Sequence, residues 1–292
     1  MRQKYKSFAK INLFLYITSK RKDGYHNLHS LMTQIDLCDD IYIDFSKKEM
    51  SIACDHPDVP ADESNLALKA VRVFYHSLKS KGCEVKDGLF IEIAKRIPPG
   101  GGLGGGSSNA ATVLLALNTH FKTPFSKKEL MKMGLGLGAD VPFFIFGSPA
   151  IAKGVGERLE KAPDLKPCHL VLCDPGVAAS TAKVYKNIDF SLTLNQNYTI
   201  NSGLNVPLRG QELDVGGRMH NDLEESACRL YPEIKKAKEE MELLLQRRVY
   251  MTGSGSSLFA LFLSRAAAKE GYKRLSESWA DGKRKIFLSS LN

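Results

Sequence analysis

No apolar run in this 292-residue chain approaches the roughly 20 residues that a helix needs to cross a bilayer. Cysteine is sparse and scattered: Cys38, Cys54, Cys83, Cys168, Cys173 and Cys228 form no C-x-x-C pair. That spacing argues against a zinc site, and a chain of this length does not need disulfide staples, so reduced thiols in a cytoplasmic protein are expected. The start, MRQKYKSFAKINLFLYITSK, is basic and then apolar, but Lys10, Asn12 and Thr18 interrupt the apolar part. No small-residue cleavage site precedes the next turn, so this segment reads as a strand and not as a leader. Internal repeats are absent as well.

Glycine, by contrast, is concentrated. Residues 98–111, PPGGGLGGGSSNAA, hold six glycines in the seven positions 100–106. With no Cβ to restrict φ or block approach, such a stretch can wrap closely round a charged group. Ala110, Val113, Leu114 and Leu117 then fall on one face of a 3.6-residue period, which predicts a helix, with Ser107 or Ser108 as its N-cap. A glycine loop running into a helix N-terminus offers free N–H groups and a positive dipole end, a combination suited to phosphate.

The better-known glycine motifs fit poorly. Gly100, Gly102 and Gly105 satisfy G-x-G-x-x-G, but the acid expected about twenty residues on in a dinucleotide site is missing. A Walker A loop needs Lys-Ser/Thr directly after its last glycine, where this chain has Ser107-Ser108. The protein-kinase H-R-D and D-F-G signatures are absent too.

The length favours two domains. A net charge of +9 fits anionic ligands or nucleic acid, although the surplus is diffuse. The densest part, residues 265–292, carries seven Lys/Arg against three Asp/Glu and reads as a solvated helix face. Strands are expected over 8–17, 41–45, 89–93, 169–173, 249–252 and 258–263, and helices over 65–78, from 126 to about 133, from about 220 to 228 and over 232–247. Ser126 and Glu129 form a capping box. Asp140 can cap a short helix with Pro142 in its first turn. Residues 189–218 read as a long polar loop or insertion, and a second glycine–serine turn occupies 253–257. Strands and helices mix without strict βαβ repetition, an α+β pattern.

Three segments together resemble the GHMP kinases: Ala9-Lys10-Ile11-Asn12-Leu13, Pro98–Ala111, and Met251–Ser257 with the strand after it. Asp23-Gly24-Tyr25-His26 and Gly138-Ala139-Asp140-Val141-Pro142 are similar to the branch of that family acting on a cytidine-diphosphate-linked methylerythritol of the non-mevalonate isoprenoid pathway. Gly154-Val155-Gly156-Glu157 fits the same branch.

The resemblance implies a domain like ribosomal protein S5 domain 2 over 1–160 and a ferredoxin-like GHMP domain over 161–292. The implied reaction moves the γ-phosphoryl of ATP, with Mg²⁺, to the 2-hydroxyl of that substrate. Lys10 and Asp140 are its implied catalytic residues. Asp140 would serve as general base; as a bare helix cap it would have no chemical role. The implied ATP site comprises Asn65, Lys95, Pro98, Gly100, Gly101, Gly102, Leu103, Gly104, Gly105, Gly106, Ser107, Ser108 and Asn109. Ser107 or Ser108 would also bear on Mg²⁺. Asn12, Tyr25, His26, Thr181 and Tyr185 are implied on the substrate side, with Tyr25 and Tyr185 on opposite faces of the cytosine. The partners expected are small molecules, neither nucleic acid nor membrane. A kinase of homoserine or mevalonate lacks a reason for the Asp-Gly-Tyr-His turn, since neither substrate has a base to stack. An S5-like RNA-binding protein leaves Lys10, Asp140 and both glycine–serine turns without a role.

Overall fold

The computed structural model describes residues 2–83, 88–163, 165–189, 219–280 and 282–292. The chain folds as two compact units, each gathered from separate stretches. Unit 1 is Met1–Ala9, Leu37–Pro99 and Gly104–Ser148; unit 2 is Lys10–Asp36, Gly100–Leu103 and Pro149–Asn292. Two long strands, β1 (Arg2–Lys20) and β2 (His26–Asp44), pair with each other and contribute to both.

In unit 1, the end of β2 pairs antiparallel with β4 (Phe90–Ala94), placing Ile41 opposite Ile93 and Ile43 opposite Ile91. β3 (Ser51–Cys54) runs parallel on the other side of β4. Alternation dictates what is buried: Ile41, Ile43, Ile91 and Ile93 all face inward. The helices of this unit pack on one another: α1 (Leu66–Ser80) on α2 (Gly105–His120), α2 on α4 (Val141–Phe146), and α3 (Lys127–Leu135) on α4. Phe74 of α1 meets Phe125 edge to face at 5.1 Å between ring centroids, a favoured aromatic geometry. The Ser126–Glu129 capping box is present in both directions.

In unit 2, the first half of β2 pairs with β5 (Ala150–Gly154), and β5 with β6 (Arg158–Lys161). A separate antiparallel sheet has the order β10-β7-β9-β8, from β7 (His169–Asp174), β8 (Tyr250–Met251), β9 (Leu258–Phe262) and β10 (Lys285–Ser290). Among the described residues, the helices of unit 2 are α5 (Thr181–Lys186), α6 (Glu224–Leu230), α7 (Pro232–Leu245) and α8 (Arg265–Ser278). Val171, Cys173, Ile234, Met241, Ala260 and Phe262 share one core. All six cysteines are free thiols. No helix among the described residues is long and apolar enough to cross a membrane.

Three local expectations need correction. Neither Ser107 nor Ser108 caps α2: its N-cap is Gly104, at φ +70°, and both serines lie in the first turn. The helix expected from His220 begins at Glu224, because His220 and Asp222 pair through their backbones with Leu15 and are held in a bridge to β1. Asp140 stands at the N-cap of α4 without a side-chain capping bond. Beyond these, β3, β5, β6, α5 and β10 are short or edge elements whose periodicity is too brief to read. The polar stretch 190–218 lies outside the described residues.

Candidate active site

Lys10 and Asn12 project from the face of β1 opposite Ile11 and Leu13, and that face is buried too: Lys10 is 4 % exposed and Asn12 5 %. A buried ammonium needs acceptors. Lys10 Nζ donates to Asn12 Oδ1 at 2.7 Å, and Asn12 Nδ2 donates to Ser30 Oγ on β2 at 2.7 Å. The Asn12 backbone N–H donates to Thr252 Oγ1 at 2.9 Å. Thr252 begins the second glycine–serine turn, and a Cβ on Gly253 would come within 3.4 Å of Lys10 Nζ. Asn221 holds that turn from below, its Nδ2 donating to the carbonyls of Met251 and Gly253.

The first half of the long glycine loop packs on the same turn within unit 2. Lys10 N–H donates to the Leu103 carbonyl at 3.0 Å and Ser257 N–H to the Gly101 carbonyl at 3.1 Å. Gly102, at φ +75°, lies so close that a Cβ would sit 2.5 Å from the Thr252 carbonyl oxygen. Glycine is required there for approach as well as for φ.

The second half of the loop opens α2 in unit 1. Gly104 has no side chain with which to cap the helix, so the first-turn N–H groups, which have no acceptor within the helix, are not capped by their own residue. Ser107 is half-buried and Ser108 buried. Ser107 Oγ lies 3.6 Å from where a Cβ on Gly138 would stand, which brings the helix start beside the turn carrying Asp140. Asp140 is half-buried.

The other implied ATP residues are held by neighbours of their own. Asn65 caps α1, accepting from Ala67 N–H at 2.9 Å and donating to the Pro60 carbonyl at 2.6 Å. Lys95 Nζ forms an ion pair with Asp39 at 2.5 Å, both side chains almost wholly buried. Asn109 turns its Nδ2 inward, to Ser7 Oγ and Asp39 Oδ2, both at 2.9 Å.

The implied substrate residues are all in unit 2. Tyr25 is 65 % exposed at the tip of the Asp23-Gly24 turn, which is braced by Arg21 on the Asp23 carboxylate. His26 is buried, its ring 5.4 Å from that of Tyr185. Burial lowers the His26 pKa, and Lys20 adds to the effect, which favours the neutral imidazole. Thr181, at the start of α5, shares a 2.8 Å hydrogen bond with Ser254 Oγ. Ser7, Ser30, Asp39, Asn221 and Thr252 were not legible as site residues. Asp39 is one of four aspartates in β2, and nothing local sets it apart from Asp36, Asp40 and Asp44.

Comparison with known proteins gives these arrangements a family. Residues 65–148 match the GHMP kinases N terminal domain and residues 208–281 the GHMP kinases C terminal domain. A 4-diphosphocytidyl-2-C-methyl-D-erythritol kinase of Geobacter sp. (strain M21) is 41 % identical, over 89 % of this chain and 90 % of its own. One of the same name from Citrifermentans bemidjiense is 39 % identical, over 92 % and 93 %. A crystal structure of 4-(cytidine 5'-diphospho)-2C-methyl-D-erythritol kinase superposes with TM-score 0.78 at 33 % identity, covering 99 % of this chain and 100 % of that one. The Methanococcus jannaschii mevalonate kinase shares the fold, with TM-score 0.73 at 16 % identity. By sequence and by fold, the chain belongs to the 4-diphosphocytidyl-2-C-methyl-D-erythritol kinases, a family of GHMP kinases.

Proposed function

We propose that this chain transfers the γ-phosphoryl group of ATP to the 2-hydroxyl of 4-diphosphocytidyl-2-C-methyl-D-erythritol. The observation that carries the reading is the glycine loop, whose positive-φ glycines 100, 102 and 104 lead into the uncapped N-terminus of α2. Such an end holds a phosphate by N–H donation and dipole together. In the transfer, the substrate oxygen forms a bond to γ-phosphorus and the bridging oxygen leaves with its electron pair on ADP. Asp140 takes the hydroxyl proton as general base; its carboxylate is not used to cap α4. Lys10, aimed by Asn12, balances the charge that develops on the attacking and transferring oxygens.

The donors near α2 suit a magnesium ion held mainly by phosphate and water, since Ser107 and the Asp140 turn adjoin and magnesium often keeps few protein ligands. When bound, that ion neutralises triphosphate charge. On the substrate side, Tyr25 offers an exposed ring for the cytosine, and His26 and Tyr185 form the rest of that subsite. The neutral state favoured for His26 leaves its ring able to accept as well as donate a hydrogen bond. Asn65 completes the adenine side; Lys95, whose Nζ is buried on Asp39, supports the loop from beneath instead.

We read the finer fold as S5-like for the N-terminal domain, residues 1–160, and ferredoxin-like for the C-terminal one, residues 161–292; the β10-β7-β9-β8 sheet with its helices supports the latter. The working context is the cytoplasm, with small-molecule partners and neither nucleic acid nor membrane. An ADP-release assay comparing the cytidylyl substrate with homoserine and mevalonate tests the assignment. Turnover is expected with the first alone, and turnover of a rival instead would overturn it.

A further inference from the structure

Asp39 sits on β2 with its carboxylate completely buried. An ionised carboxylate at that depth is tolerated only when its lone pairs are met. Asp39 Oδ1 accepts the backbone N–H groups of Arg96 at 2.8 Å and Ile97 at 2.9 Å. Oδ2 accepts Lys95 Nζ at 2.5 Å and Asn109 Nδ2 at 2.9 Å. These donors come from two segments: the strand exit leading into Pro98, and the first turns of α2. Between those segments runs the glycine loop, which has almost no side chains with which to fix itself.

The surroundings make the junction stiffer. A Cβ on Gly105 would lie 3.1 Å from Lys95 Nζ and 3.0 Å from the Ile97 side chain, so the ion pair sits directly beneath the opening of α2. Both Nδ2 protons of Asn109 are used, one on Asp39 and one on Ser7 Oγ, and Ser7 Oγ donates to Ser108 Oγ at 2.7 Å. A buried ion pair adds little net stability over a well-packed apolar pair of equal volume. What Asp39 does that an apolar residue cannot is hold two separated backbone segments in one geometry through directional bonds.

We infer that Asp39 is a positioning residue for the phosphate loop: it ties the loop's entry to its exit and so sets how the first-turn N–H groups of α2 meet the triphosphate. The inference rests on the reading of residues 100–108 as the ATP phosphate site. Asp39 itself does not touch the nucleotide. It acts through Ile97 and Asn109, and Lys95 is its buried ion-pair partner.

The test is Asp39→Asn in the full chain, which keeps the shape but in either orientation sets an amide NH2 against one of the two donor pairs, Lys95 with Asn109 or the Arg96 and Ile97 N–H groups. Affinity for a magnesium complex of a non-hydrolysable ATP analogue, measured by calorimetry, is expected to fall about tenfold or more, the scale of a lost charged hydrogen bond. Adenosine affinity and KM for the cytidylyl substrate should stay near their parent values. The exchange Asp39→Asn with Asn109→Asp keeps the net charge and leaves a carboxylate beside Lys95, and should recover part of the loss. Should Asp39→Asn not fold, Asn109→Ala is expected to show the same selectivity for the analogue over adenosine.

Unchanged analogue affinity in a folded variant overturns the inference. So does equal weakening of analogue, adenosine and cytidylyl substrate, which would mark a purely structural role. Gly104→Ala, which forces a side chain into positive φ within the loop, separates the two levels. If it leaves analogue affinity unchanged, the phosphate-loop reading fails and the inference with it; if it weakens the analogue while Asp39→Asn does not, only the inference fails.

Discussion

Ser30 Oγ accepts a hydrogen bond from Asn12 Nδ2 while giving its own proton to the Phe14 carbonyl at 2.6 Å. A hydroxyl has one proton, so with that proton on Phe14 the Ser30 oxygen can only accept. Asn12 must therefore present Nδ2 to Ser30 and Oδ1 to Lys10. The orientation of Lys10, the lysine proposed to act in the transfer, is thus set two side chains away, on a different strand.

Ser30→Ala should release that constraint. The Asn12 amide can then turn over and leave Lys10 facing a donor. A misplaced hydrogen bond of about 1–3 kcal/mol corresponds to roughly a 5- to 150-fold fall in kcat, with both KM values little changed. Steady-state kinetics beside a thermal melt checks this; a lowered Tm with unchanged kcat would confine Ser30 to stability.

Asp140→Asn retains size and removes the proposed base. General-base assistance contributes roughly 10²–10⁴-fold, so kcat should drop by that order while ATP affinity holds. A folded variant with near-parent turnover would dismiss the base assignment.

Tyr25→Ala tests the cytosine platform. Loss of one stacked ring, at about 1–3 kcal/mol, should raise KM for the cytidylyl substrate and leave KM for ATP steady. Single-turnover rates at saturation should change less than KM, because the ring acts on ground-state binding. Tyr25→Phe should be mild. An effect from Tyr25→Ala with none from Tyr185→Ala would replace the two-sided clamp by a one-sided platform.

Asp174, at the end of β7, gives a pH signature. Burial raises its pKa, partly offset by the Gly176 N–H and by Lys285 across the strand pair. A folded-state pKa above the unfolded value means that the native state binds the extra proton, so stability falls as pH rises from the unfolded carboxylate range through the raised value. Asp174→Asn should raise Tm at neutral pH, and the gain should vanish as pH falls below the normal carboxylate range. Melts of both proteins across acid to neutral pH measure this, and a gain independent of pH would contradict it.

The sequence by itself determined the chemistry of the main segments. Alternation identified β1, with Lys10 and Asn12 opposite its apolar residues, and the capping signature set the start of α3. Six glycines before a periodic apolar face predicted a loop running into a helix, and the loop takes positive φ at Gly100, Gly102 and Gly104, where glycine is favoured. Such features are local, written in residues close together along the chain.

What only the tertiary structure decided is which distant atoms meet. The compact units interleave along the chain, and the glycine loop itself is divided between them at Leu103 and Gly104. Ser30, Asp39 and Thr252 are ordinary polar residues in sequence; strand pairing and helix packing turn them into partners of Asn12, Asn109 and Lys95. Hydrogen-bond partnership at such separations depends on register and packing, and no pattern of neighbouring residues encodes it.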